Sequence, residues 1–373
     1  MSFRYTRRRF MATTAASAAA LSLPAGLLAQ ANSPLQTLRA TRRTLDIDGQ
    51  AATVFGLENA AGRQGLILNP GERFKVRLEN ALDIETIIHW HGQIPPNDQD
   101  GVPGAPMPAL RPGETRDYDF SPLAGTHWMH SHFPVQEMQL LAAPLIVRSP
   151  EDVSQDRQEV VLILQDFSFT SPDELMANID HGPGHGAMDH GAMDHASGAG
   201  MAGGMMSRMT GGDHGDMQGM SRMGAMPGMQ GMEMDLNDID FDAYLANDRT
   251  LSDPEVVRVE RGGRVRLRII NAAAATVFWI DTGSIEGRLV AVDGHAIVPS
   301  SGRRFGFAMG QRLDLELDLP AEEGAWPILA LREGERERTG IILASPSGEV
   351  ARVAELSDEA ASAFDYDLAQ ESS

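Results

Sequence analysis

An alternating strand pattern occurs twice in this chain, and that duplication limits the folds open to it. Gly71-Glu-Arg-Phe-Lys-Val-Arg-Leu-Glu-Asn80 matches Gly262-Gly-Arg-Val-Arg-Leu-Arg-Ile-Ile-Asn271 in the glycine, both arginines, the alternating apolar positions and the closing asparagine. Strand side chains change face at every residue, so the first copy turns Phe74, Val76 and Leu78 inward and Arg73, Lys75, Arg77 and Glu79 outward. After a one-residue gap the next strands also correspond, Thr86-Ile-Ile-His-Trp-His91 against Thr276-Val-Phe-Trp-Ile-Asp281. Turns at Asn69-Pro70-Gly71 and Arg111-Pro112-Gly113 and the apolar blocks Pro144–Val147 and Val160–Leu164 repeat the strand-and-turn rhythm, and helical periodicity is scarce. Leu313, Leu315, Leu317 and Leu319 alternate with Arg312, Asp314, Glu316 and Asp318, which predicts one buried and one wet face. An all-β chain of two antiparallel barrels or sandwiches is expected, at residues 35–150 and 158–350.

The first copy carries two histidine clusters, His89-Trp-His-Gly92 and His127-Trp-Met-His-Ser-His132. On strands, His89 shares a face with His91, and His130 with His132, whereas His127 falls on the opposite face with Met129 and Ser131 and reads as a structural residue. Imidazole is the commonest ligand for copper, zinc and iron, so His89, His91, His130 and His132 are the candidate metal ligands. In the second copy, Trp279 and Asp281 stand where His89 and His91 stand in the first, which predicts the same fold without the ligands.

Cysteine is absent, which excludes disulfides and thiolate metal sites within this sequence. Thr6-Arg-Arg-Arg-Phe-Met11, an Ala/Leu-rich run and Ala29-Gln-Ala31 read as a twin-arginine export signal over residues 1–31, too short and too weakly apolar to span a bilayer. The mature chain is therefore expected in a bacterial periplasm. It keeps 27 basic side chains against 52 acidic ones, a balance that repels nucleic acid and attracts cations.

Together with Asp100-Gly-Val-Pro-Gly104 and Gly125-Thr-His-Trp128, the histidine clusters resemble the first domain of multicopper oxidases of the laccase and copper-resistance type. The resemblance implies two cupredoxin-like Greek-key domains. It implies that His89 binds a type 2 copper and that His91, His130 and His132 bind a type 3 pair, half of a trinuclear copper cluster at which O2 is reduced to water. It also implies that Asp100 passes protons toward the cluster, in keeping with a carboxylate beside bound water. Two motifs of the family's third domain, H-P-x-H-L-H-G and H-C-H-x-x-x-H, do not occur here, and a type 1 copper site needs a thiolate that this chain lacks.

Between the two copies lies a Gly-rich tract, residues 181–234, with 13 of the chain's 20 methionines and five of its 11 histidines. Its composition cannot bury a core, so it is expected to be a disordered insertion in the second domain. Thioethers favour Cu(I), which makes His185, Met188, His190, Met193, His195, Met205, Met206 and Met209 candidates for Cu(I) capture. Residues 351–373 read as a linker-like tail, with a short helix expected from Ala354 to Phe364. The expected protein is the N-terminal two-thirds of a periplasmic oxidase of Cu(I) or phenols, inactive as an isolated chain. Alternatives are a third domain on a separate polypeptide and a non-catalytic copper-binding, copper-tolerance protein.

Overall fold

The structure, a computed structural model, describes residues 33–180 and 239–363. The expected export signal, the tract at 181–234 with its eight candidate Cu(I) ligands, and the end of the tail lie outside the described residues. No helix among the described residues is long and apolar enough to cross a membrane.

The first cupredoxin-like sandwich contains β1 (Gln36–Ile47), β2 (Gln50–Asn59), β3 (Leu66–Leu68), β4 (Phe74–Asn80), β5 (Ile88–His91), β6 (Thr115–Phe120), β7 (Gly125–Ser131) and β8 (Ala142–Val147). They form two sheets, β2-β1-β4-β6 and β3-β8-β7-β5. Phe74, Val76 and Leu78 from β4 meet Ile88, Trp90, Met129 and Leu145 from the other sheet in one core. That packing sends the alternate residues of β5 and β7 to the outer face of their sheet.

The second sandwich contains β9 (Gln158–Phe167), β10 (Ala243–Ala246), β11 (Val256–Arg258), β12 (Arg264–Asn271), β13 (Phe278–Asp281), β14 (Gly287–Val292), β15 (His295–Gly302), β16 (Arg304–Phe307), β17 (Arg312–Asp318), β18 (Ala325–Arg332) and β19 (Arg338–Ala344). Its sheets run β10-β9-β12-β17-β14-β15 and β11-β19-β18-β13-β16. The neighbouring strands β9 and β10 pair antiparallel on either side of the Met/His-rich tract, so the tract is an insertion in this sandwich.

The duplication seen in sequence is a duplication in space. β4 pairs parallel with β1 and antiparallel with β6, and β12 pairs parallel with β9 and antiparallel with β17. Each closing asparagine does the same work. Asn80 donates to the carbonyls of Ile84 and Leu110 while accepting from Leu82 N; Asn271 donates to Thr276 and Phe307 while accepting from Ala273 N.

Two expectations are corrected. The supposedly wet face of β17 is buried at Arg312 and Asp314, because it packs on β7 of the first sandwich, where Asp314 Oδ1 accepts from Thr126 Oγ1 at 2.5 Å. The tail is not helical over its described residues. Arg338 N donates to Glu355 O, Ser357 N to Arg336 O and Ala361 N to Glu335 O, so the β18–β19 hairpin takes up backbone groups that a helix would have paired internally.

Candidate metal centre

Register builds the centre. Across β5 and β7, His89 lies opposite His130 and His91 opposite Trp128. The outer face of this sheet therefore collects His89, His91, Trp128 and His130, and His132 joins them just beyond the end of β7. Ring nitrogens of His89, His130 and His132 lie within 4.8 Å of one another. His91 Nδ1 is 3.3 Å from His130 Nε2. The expected four imidazoles are thus brought together, while His127 is separated behind the sheet.

The second coordination positions of these rings show which nitrogens are free. His89 Nδ1 donates to the main-chain carbonyl of Asp100 at 2.9 Å, and His130 Nδ1 donates to Ser131 O at 3.0 Å. Each bond fixes the tautomer and leaves Nε2 as a bare lone pair. Two nitrogens held on one ion at bonds of about 2.0–2.1 Å lie roughly 3 to 3.5 Å apart. The His91–His130 spacing meets that requirement, so the donor set fits copper.

The loop behind His89 is held by glycine. Gly101 has φ of +81°, and a Cβ there would fall 1.8 Å from Ile88 O, so only glycine lets the Asp100 loop approach β5. Trp90 Nε1 donates to Gln99 O at 2.8 Å and pins the same loop from the core side. The Asp100 carboxylate reaches within 3.5 Å of His89 Nδ1 and is partly exposed.

Burial favours the neutral form of three of these imidazoles, His91, His130 and His132. It pushes His91 down to about 3, helped by the Arg312 cation and His89. Burial, then His89 and His91, brings His130 to about 3. His132 is lowered by burial and by His89, against the opposing pull of Asp100. Neutral imidazole is the ligand form. Glu137 approaches His130 Nδ1 at 3.5 Å and is raised to about 7 by burial and by Asp166.

His127 is 1 % exposed and wedged between two backbones. A Cβ on Gly92 would lie 2.5 Å from its Nδ1, and one on Gly294 would lie 2.7 Å from its Cε1. Burial and then Arg312 depress it to about 4.

Trp128, Glu137 and Arg312 also stand beside these rings, although no motif places them there. Parity alone puts Trp128 on the ligand face, two positions before His130. Glu137 and Arg312 arrive from a short helix, Pro134–Met138, and from the other sandwich, and no local pattern announces them.

Two family models described as multicopper oxidase match this chain, at residues 39–152 and 206–345. The multicopper oxidase MmcO of Mycobacterium tuberculosis is 27% identical over 84% of this chain and 56% of its own length. Copper resistance protein A of Escherichia coli is 28% identical over 82% of this chain and 49% of its own length. The chain thus spans about half the length of the curated relatives it matches. A blue copper oxidase from Nitrosomonas europaea shares the fold, with a TM-score of 0.57 at 21% identity over 83% of this chain and 85% of that one.

Proposed function

The chain belongs to the multicopper oxidase family, and from that footing we propose that its outer sheet face is half of a trinuclear copper site in an exported, periplasmic oxidase of Cu(I) or phenols. The observation that carries this reading is the convergence of four imidazoles, with His91 Nδ1 at 3.3 Å from His130 Nε2. His89 would hold the type 2 ion, and His91, His130 and His132 the type 3 pair. Copper bound there supplies the electron transfers that reduce O2 to water. The chain's own residues orient the rings of His89 and His130 through the carbonyls of Asp100 and Ser131, and burial holds His91, His130 and His132 toward the unprotonated form. The exposed edge of Asp100 lets its carboxylate relay protons from solvent toward the His89 side.

The second sandwich offers Trp279 and Asp281 at the positions matching His89 and His91, and the chain has no cysteine for a type 1 site. The remaining ligands and the electron-entry site would therefore come from a third cupredoxin domain or another chain. The test is copper stoichiometry and electron paramagnetic resonance of the chain from Asn32, with O2 uptake from Cu(I) or a phenol. Copper lost on alanine replacement of His89, His91, His130 or His132, with uptake only after a third domain is supplied, is the expected result. Copper binding indifferent to all four replacements overturns the site, and O2 uptake by the chain alone overturns the missing electron entry.

A second reading, a non-catalytic copper-tolerance protein, is favoured by the 13 methionines and five histidines of the tract. Deleting residues 181–234 would then remove most bound copper from a still-folded chain, and an unchanged stoichiometry sinks it.

A further inference from the structure

The second sandwich holds none of the four histidines, yet it presses against the sheet that carries them. The contact is apolar and specific: Trp128 and Ala142 from the first sandwich form one buried cluster with Ile163 of β9, Ile270 of β12 and Ala272 just beyond its end. Trp128 also stacks on two of the imidazoles. Its ring centroid lies 4.2 Å from that of His130 at an interplanar angle of 16°, and 5.0 Å from that of His91 at 30°. The indole is 2 % exposed and its Nε1 has no hydrogen-bond partner among the described residues. Its position is therefore set by packing and stacking alone, and whatever moves the apolar cluster moves the two rings.

We propose that Trp128 is a positioning residue that transmits the interdomain contact to His91 and His130, setting the ring planes and the spacing between Nδ1 and Nε2. This rests on the copper reading given above. A tryptophan that served only as core filler would tolerate a large aliphatic replacement at a cost in stability alone. A positioning indole would not, because leucine has no flat face for either imidazole. Phenylalanine keeps a flat face and should rescue.

The experiment compares Trp128→Leu, Trp128→Phe and Ile270→Ala in the full chain, with Phe120→Leu as a control for lost stability. Phe120 is a core residue of β6 stacked on Phe74. Supporting residues behind metal ligands typically change affinity about 10–100-fold. Trp128→Leu is expected to weaken copper binding about tenfold or more, to alter the copper resonance spectrum, and in a crystal structure of the metal-free protein to change the 3.3 Å spacing of His91 and His130. Trp128→Phe should stay within about threefold of wild type, Ile270→Ala should shift the spectrum in the direction of Trp128→Leu, and Phe120→Leu should leave it unaltered. A folded Trp128→Leu with wild-type spacing, affinity and spectrum overturns the proposal. If it does not fold, an unshifted spectrum in Ile270→Ala does the same. Should the wild-type chain bind no copper at these histidines, the functional reading fails, and the metal-free spacing still decides the role of Trp128.

Discussion

The main-chain carbonyl of Asp100 accepts a hydrogen bond from His89 Nδ1 at 2.9 Å, and the carboxylate of the same residue stands 3.5 Å from that nitrogen. The ring is thus oriented by backbone, and the carboxylate is free for another task. Asp100→Asn is expected to leave copper occupancy within about threefold of wild type. In a chain supplied with a third domain it should slow O2 reduction by roughly 10²–10⁴, the usual worth of a positioned acid–base group. An occupancy loss as large as that of His89→Ala would show that the carboxylate holds the ring instead.

Gly101 makes that hydrogen bond attainable. Gly101→Ala places a methyl 1.8 Å from Ile88 O and a side chain at φ of +81°, a conformation that alone costs about 1–2 kcal/mol. The loop must retreat, so unfolding free energy should fall by about 2 kcal/mol or more and copper affinity should fall with it. Urea denaturation and copper titration check both; equal affinity in a destabilised chain would separate the loop from the centre.

Acid should destabilise the metal-free chain through its buried histidines. His91 and His130 lie at about 3 and His127 at about 4 in the folded state, below the ordinary 6.5, so the unfolded chain gains protons first as pH falls. Stability is then lost from about pH 6.5 downward, with each histidine adding up to about 1.4 kcal/mol per pH unit. Glu137 acts in the opposite sense. Raised to about 7, it gains its proton in the folded state first and adds stability as pH falls from about 7 to its unfolded value of 4.5. Four lowered histidines, His132 included, outweigh the two raised acids Glu137 and Asp166, so urea midpoints should fall from pH 6 to pH 5, and His127→Gln should flatten that slope. A midpoint that rises on acidification would contradict the assignment.

Between the sandwiches sits a charge cluster that should be costly to break. Arg268, 0 % exposed, meets Glu159 at 2.7 Å, Asp314 at 3.0 Å and Asp152 at 3.1 Å. Burial alone would raise Asp152, but hydrogen bonds from Ser149 and the Arg268 and Arg266 cations hold it down at about 2. Arg268→Ala removes the cation shared by these carboxylates but leaves Arg266 on Asp314, Arg148 on Glu159 and Arg157 on Asp152, so it should cost about 1–3 kcal/mol, whereas Arg268→Met combined with Asp314→Leu should cost less than the single change. Thermal denaturation of the two variants decides, and a double variant that loses more stability than Arg268→Ala would show that the charges do not act as a unit.

The strand pattern and the histidine-bearing face were legible in the sequence because both are consequences of a period of two. Alternation around Phe74 and Val265 announced the sheets, and the same parity separated His89, His91, His130 and His132 from His127 without any knowledge of the fold. The repeat also set Trp279 and Asp281 of the second sandwich at the positions of the paired histidines His89 and His91.

Three matters were settled only by tertiary structure. Arg312 and Asp314 read as solvent-facing because alternation tells which residues share a face and not what covers it; β7 covers this one. The Ala354–Phe364 segment read as helical because local propensity does not include the β18–β19 hairpin that bonds its backbone. And Trp128 read as a neighbour of ligands, while its stacking on His91 and His130 depends on Ile163, Ile270 and Ala272 arriving from far away in the chain. Period and parity are local properties of a strand, so sequence alone determines them. The partner of a face is chosen by how two sandwiches dock, and that choice exists only in three dimensions.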